Sequence, residues 1–497
     1  MTTTAPTPEL RTLSPRRRWA ALGVLVGAVL LLAVDGTVLY LAVPSLTREL
    51  APTAVEVLWI GDVYSLALAG LLVTAGNLAD RFGRKKVLLL GTAAFGLASA
   101  LAAFSPTAGV LVVARLLLGI AGATIMPSTL SLIRTLFTDP RERTRAIAIW
   151  SAGSGGGIAL GPLVGGTLLE HFWWGSVFLI NVPIVVVFLI AGAVLLPESR
   201  DPDPGRFDVF SAALSMAAIV PLVYAVKHAV SAGIDAQVAV AAAIGIAAGV
   251  LFVRRQKRAA DPLIDVTLFR NGAFSGAVLA SFIAVFALMG LLFFFSQYLQ
   301  LVRGFSPLQA GFAEMPATLA SIVVVAAVGV VVGRLGRGRA VAAALAVAAL
   351  GLALVAVAER LPQYWWLGLT LVPVGLGVGL ALTLTVDSVL SAVPRDKAGS
   401  ASAISETAYE LGAALGIAIL GSLVTVVYRA FLPAGPIPAE VRDSLAAAAN
   451  ALDPGSGLAH AAREAFTGAM QVTSLAAAAV TAVAAVIAWR TIPSGKD

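Results

Sequence analysis

The sequence predicts an all-α membrane protein: two six-helix bundles with two further transmembrane helices inserted between them, fourteen in all. Three observations carry this. The 497-residue chain is 59% hydrophobic and only 12% charged, with a mean hydropathy of +0.92. A soluble chain of that length needs far more polar surface. Apolar runs of membrane-spanning length recur from end to end, which makes a bilayer the solvent. Between two of them lies a short charged turn, Gly76-Asn77-Leu78-Ala79-Asp80-Arg81-Phe82-Gly83-Arg84-Lys85-Lys86.

The predicted spans lie near 19–43, 57–79, 86–104, 108–133, 146–169, 174–196, 207–227, 236–253, 272–300, 307–333, 339–358, 364–390, 399–427 and 467–490. Each is a helix, because backbone in lipid must satisfy its own hydrogen bonds. An even number puts both termini on one side. Most of the 34 Lys and Arg fall in the termini and the even-numbered loops, which places both termini in the cytoplasm. Arg115 is the one basic residue that falls well inside a predicted span rather than at its end. The same asymmetry accounts for the net charge of +7 without a nucleic-acid partner. Arg16-Arg17-Arg18 precedes an apolar run too long for a signal-peptide core, with no cleavage site in view, so the first span is expected to be retained.

Other classes are excluded by what is missing. There is no cysteine, hence no disulfide framework or thiol chemistry. His171, His228 and His460 lack ligand spacing, so no metal site is expected. No nucleophile–base pair suggests an enzyme. No Walker turn or nucleotide fingerprint suggests an ATP-driven pump. With no cofactor expected, an ion gradient is the energy source, worth about 2.3 kcal/mol per charge per 100 mV.

An internal repeat organises the chain. Pro127-Ser128-Thr129-Leu130-Ser131-Leu132-Ile133, a charged turn and a Gly-rich helix are echoed by Asp387-Ser388-Val389-Leu390-Ser391-Ala392-Val393, a charged turn and a Gly-rich helix. The turn at Asp80 has a worn echo in Gly333-Arg334-Leu335-Gly336-Arg337-Gly338-Arg339, which lacks the Asp. Chance similarity between Ala/Gly/Leu-rich helices is the alternative. The expected organisation is a cytoplasmic tail (1–18), an N-terminal bundle (19–200), an inserted pair (201–253) and a cytoplasmic amphipathic linker (254–271). A C-terminal bundle (272–490), with a long outer loop (428–466), and a tail (491–497) follow.

The charged turn resembles the signature turn of the major facilitator superfamily at every fixed position. Asp80, Arg81, Gly83 and Arg84 then act as a gate, making ion pairs that hold the bundles in one state and release them in another; positive-inside anchoring alone is the plainer alternative. Arg115 and Gly119 resemble the superfamily's fourth-helix motif. Gly157, Gly161, Pro162, Gly165 and Gly166 resemble its antiporter motif. Val34-Asp35-Gly36-Thr37 with Ala42-Val43-Pro44, and Trp174 through Pro183, are similar to motifs of the fourteen-helix drug:proton antiporters, the QacA, LfrA and SmvA type of multidrug efflux pump. Physically, glycines allow close helix approach in lipid, and Pro162 loosens the ladder. That segment is expected to be a sliding surface between the bundles, with static packing as the alternative. Gly412-x-x-x-Gly416 makes a similar face.

The acids inside spans carry the expected chemistry: Asp35, Asp62, Glu314, Asp387, Glu406 and Glu410. Burying such a charge costs roughly 2.5–3.5 kcal/mol, so these acids are expected to face a cavity on an ion or substrate path. Asp35 lies about 24 Å along its helix, in the outer half. Glu406 and Glu410 are four apart and share a face. Two close carboxylates in low dielectric resist double ionisation, so the pair can hold a proton and release it when a cation arrives. Asp62 and Glu314 sit near outer ends, where reaching water is the alternative. Asp387 can instead pair with Arg395 or Lys397, and Arg115 with a carboxylate or a backbone carbonyl.

Carboxylates with few compensating cations favour lipophilic cations, and Phe286, Phe294, Tyr298 and Tyr409 offer aromatic faces to them. Phe293, Phe294 and Phe295 cannot share one helix face, so some are expected to meet lipid. The resemblance implies quaternary ammonium compounds, dyes and fluoroquinolones as substrates. The expectation is a proton-coupled, alternating-access exporter, monomeric, in a bacterial inner membrane. Export of one endogenous metabolite or antibiotic is the alternative.

Overall fold

The computed structural model describes residues 14–200, 208–259, 262–394 and 397–494. Among these residues fourteen helices are long and apolar enough to cross a membrane, and there is no strand. Spans 1–6 are Pro15–Leu50, Ala54–Phe82, Arg84–Ala103, Ala108–Leu136, Pro140–His171 and Ser176–Leu195; spans 7 and 8 are Val209–Ala232 and Ala236–Arg258. Spans 9–14 are Gly272–Leu301, Pro307–Leu335, Arg337–Ala358, Tyr364–Ser391, Ala398–Phe431 and Gly457–Thr491. Most overrun their predicted ends because helix continues past the hydrocarbon. Local chemistry sets several starts. Thr53 and Glu56 form a capping box ahead of span 2, as do Ser306 and Gln309 ahead of span 10, where Pro307 fills the first turn.

In the first half, span 1 packs on span 5 and span 2 on span 4; in the second, span 9 packs on span 13 and span 11 on spans 12 and 14. The halves meet along span 2 against span 13 and span 5 against span 10. Spans 7 and 8 form a hairpin, and span 7 lies in the seam against both span 2 and span 13. The Asp208–Arg255 pair (3.0 Å) ties its base, and hydrogen bonding from Arg255 lowers the Asp208 carboxyl to about 2.

Among the described residues, four hydrogen bonds tie the halves together toward the face opposite the termini. Tyr40 donates to Met289 Sδ (3.6 Å) and Gln300 to the Leu41 carbonyl (3.0 Å). The outer loop supplies the rest. Its short helices, Ala439–Asp443 and Leu445–Ala451, let Asp443 accept from the Ala54 N–H (2.8 Å) and Asn450 donate to the Thr47 carbonyl (3.3 Å). This face is closed.

The repeat is visible in backbone geometry. Gly83 and Gly336 occupy matching turns with φ of +111° and +75°, a region that L side chains avoid, and each is followed by an arginine. Span 8 continues to Arg258, and the described part of the 254–271 linker beyond it carries a 3₁₀ turn at Val266–Arg270, capped by Asp265, which meets Lys397 (2.7 Å). One expectation is corrected here. The antiporter-motif glycines are mostly not an inter-bundle surface. A Cβ on Gly157 would press into Ala33 and the Leu30 carbonyl, one on Gly161 into Thr37, and one on Gly165 into Val38. All four partners are on span 1 of the same half. Spacing of four puts these glycines on one ridge, and that ridge is spent on close packing within the bundle. Only Gly166, against Pro307 and Leu308, and the Pro162 carbonyl, against Gly311, touch the other half.

Candidate functional site

The in-span acids fall into two environments. Asp35 on span 1 is fully buried, and its Oδ2 receives Arg115 from span 4 at 3.0 Å. Its Oδ1 receives the Asn181 amide at 2.7 Å, and that amide also reaches Ser99. Arg115 is 1% exposed, donates Nε–H to the Ile60 carbonyl (3.2 Å) and lies 4.6 Å from the centre of the Tyr64 ring. Both partners expected for Arg115, carboxylate and carbonyl, are present together.

Asp62 on span 2 does not reach water. It is buried, and Lys227 of span 7 places Nζ 2.8 Å from Oδ1 and 2.7 Å from Oδ2. The same ammonium sits 3.6 Å from the centre of the Trp59 ring, one turn back on span 2. From sequence, Lys227 falls at the outer end of span 7 (207–227); the helix continues to Ala232 and the side chain is 1% exposed. A lone lysine inside an apolar run was the signal. Asn181 and Tyr64 are also missed as site residues, since neither is ionised at neutral pH.

Glu314, Glu406 and Glu410 differ. No described Lys or Arg pairs with any of them. Glu314 on span 10 is 3% exposed, and its Oε1 has no hydrogen-bond partner. Glu406 and Glu410 are half-buried on span 13, close enough to interact electrostatically, and Glu410 is hydrogen-bonded to Ser65 of span 2. Tyr40 of span 1 lies within electrostatic reach of Arg115, Glu410 and Glu314. Tyr409, also half-buried, lies beside both glutamates of its own helix. Tyr40 thus lies near both Glu314 of span 10 and Glu410 of span 13, and Glu406 and Tyr409 lie beside Glu410 on span 13.

The other aromatic candidates separate. Phe293, Phe294 and Phe295 are all buried, none facing lipid, because span 9 is enclosed by spans 1, 12, 13 and 14. Phe293 meets Tyr40 edge-on across the halves (5.5 Å between centroids). Phe294 packs on Gly421 and Phe286 backs Gly416. Tyr298 is not brought to the glutamates: Arg303 donates to its hydroxyl at 2.7 Å, and the hydroxyl donates to the Glu359 carbonyl. It braces the outer end of the second half.

The charged turn is bound inside its own half. Arg84 holds Asp80 (2.8 Å), Thr135 and Ser199 (3.2 Å each), and Lys85 caps the Ala193 carbonyl (2.7 Å). Gly83 leaves room for Glu198, and Arg81 lies over Phe82. In the second half Arg337 reaches Asp387 of span 12 (3.2 Å). The acid missing from the second turn is thus supplied by a neighbouring helix. Arg395 lies outside the described residues. No group of three metal-ligating side chains occurs among the described residues.

Two six-helix halves closed at one face, with carboxylates buried between them, define a multi-pass membrane transporter. The model of the Major Facilitator Superfamily matches residues 25–417, and the chain belongs to that family. It is 45% identical to the multidrug efflux pump LfrA of Mycolicibacterium smegmatis over 486 residues, covering 96% of each chain. It is 37% identical to the methyl viologen resistance protein SmvA of Salmonella typhimurium, covering 95% of this chain and 98% of that one. Among solved structures, a bacterial homologue of the human lysosomal transporter Spinster, inward-facing and unoccupied, superposes with a TM-score of 0.68. That match has 16% identity and covers 97% and 98% of the two chains. The protein is a transporter, not an enzyme.

Proposed function

We propose that the protein exports lipophilic organic cations in exchange for protons by alternating access. The observation that carries this is that Glu314, Glu406 and Glu410 form no ion pair with a described Lys or Arg, while Tyr40 lies near both Glu314 and Glu410. A buried carboxylate without a counter-charge is stable only when protonated or when a cation is bound, so the two ligands exclude each other. Tyr40, Phe293 and Tyr409 add ring faces that attract quaternary ammonium and planar dye cations. The efflux and resistance functions in the relatives' names agree with an organic substrate.

Asp35 and Asp62 take different parts here from those expected. Their oxygens are already held by Arg115 and Lys227, so they frame the site and the glutamates exchange protons for drug. With the termini in the cytoplasm of a bacterial inner membrane, the closed face is external and the state is inward-facing. Opening the other way then requires the turns at Asp80 and Asp387 to meet partners across the halves. The test is ethidium movement in proteoliposomes under an imposed pH gradient. Ethidium should accumulate on the acidic side and stop doing so when a protonophore collapses the gradient. Movement of neither ethidium nor a second lipophilic cation would leave the single-metabolite exporter as the better account.

A further inference from the structure

Lys227 is the one Lys or Arg of span 7, and it occupies a finished cation site. Asp62 presents both oxygens within 2.8 Å of Nζ, and Trp59 presents its ring face at 3.6 Å. A carboxylate beside an indole is the pair of groups that recognises an organic ammonium. Around this site Leu66 of span 2, Val223 of span 7, and Ala414 and Ala418 of span 13 form a small apolar cluster of their own. The ammonium is therefore sealed where the two halves and the insertion meet. The next turn of span 2 carries Ser65, which binds Glu410. Asp62 thus lies one turn from the serine that contacts Glu410, yet its own charge is already matched.

We propose that Lys227 is a specificity-determining residue: a tethered cation that occupies the Asp62–Trp59 site and withholds its negative charge from the transported substrate. The inference rests on the cation-export reading and adds to it what sets the preferred substrate charge. With Lys227 in place, the exchangeable charge is that of the glutamates. Without it, Asp62 becomes a further anionic group for a second positive centre. The charged groups that act on Asp62 are Lys227 from span 7 and Arg115 from span 4, with Glu410 of span 13 held at Ser65. Arg115 is committed to Asp35 at 3.0 Å.

The experiment measures binding of methyl viologen, a dication, and tetraphenylphosphonium, a monocation, to the full-length protein in detergent. Calorimetry in buffers of different ionisation enthalpy counts the protons released. Lys227→Met should raise dication affinity about tenfold relative to monocation affinity and release about one more proton per dication than wild type. Lys227→Met combined with Asp62→Asn removes both charges; it should return the ratio and the proton count to wild-type values. Lys227→Arg should also behave as wild type. A purely structural lysine would weaken both cations alike and leave the ratio and proton count unchanged, which would overturn the inference. So would an altered ratio that persists in the double variant, since the effect would not pass through Asp62. Wild-type protein that binds neither cation would sink the cation-export reading itself.

Discussion

The two halves treat their buried acids in opposite ways. In the first, Asp35 and Asp62 each end on a buried cation at 3.0 Å or less. In the second, Glu314, Glu406 and Glu410 have no such partner among the described residues. A carboxylate clasped by Arg or Lys keeps one charge state and one geometry; removing either partner strands the other. A carboxylate without one waits for a proton or a cation from outside. Under the proposed mechanism the first half is a fixed electrostatic frame and the second holds the exchangeable charge. Counting acids is therefore a poor guide to coupling; what matters is which acids lack a tethered counter-ion.

The sharpest way to break that contrast is thermal. Asp35→Asn strands Arg115 and should cost about 3–5 kcal/mol, seen as a clear drop in melting temperature of the purified protein. Glu314→Gln removes a buried acid with an unpartnered oxygen and should leave the melting temperature unchanged or raised. Equal losses in both would erase the distinction. Next in size is Glu410→Gln. Gradient-driven export should fall at least about tenfold, or about 1.4 kcal/mol, and cation binding should lose its pH dependence. An unaltered titration would move the coupling to Glu314 or Glu406. The smallest effect compares the two charged turns. Arg84, with three partners and 19% exposure, should cost about 1 kcal/mol when changed to Ala. Arg337, whose pair with Asp387 is mostly exposed, should cost only a few tenths of a kcal/mol. Unfolding in denaturant separates the two, and a larger loss at Arg337 would reverse the order of the halves.

Much of this architecture is legible in the chain. The fourteen spans follow from apolar runs, and the repeat is announced by the echoed segments and turns; the structure adds that Gly83 and Gly336 of those turns share a positive φ. The in-span acids are legible too, because a charge inside an apolar run stands out. Their partners are not. Lys227 is 165 residues from Asp62, and Arg115 is 80 residues from Asp35. Tyr298, one turn beyond Phe294 on the same helix, braces Arg303 and the Glu359 carbonyl, a role no periodicity assigns. The glycines at 157, 161 and 165 announce close packing but not against which helix.

What the sequence alone determines is the solvent and the inventory: a bilayer, fourteen helices, and a set of ionisable groups forced inside them. Composition and periodicity are local quantities, and hydrocarbon leaves a backbone few options. Only the tertiary structure decided which carboxylates are matched and which are left open. Charge pairing depends on distance between helices far apart in the chain, and one ammonium from the inserted hairpin is enough to change the part an aspartate plays.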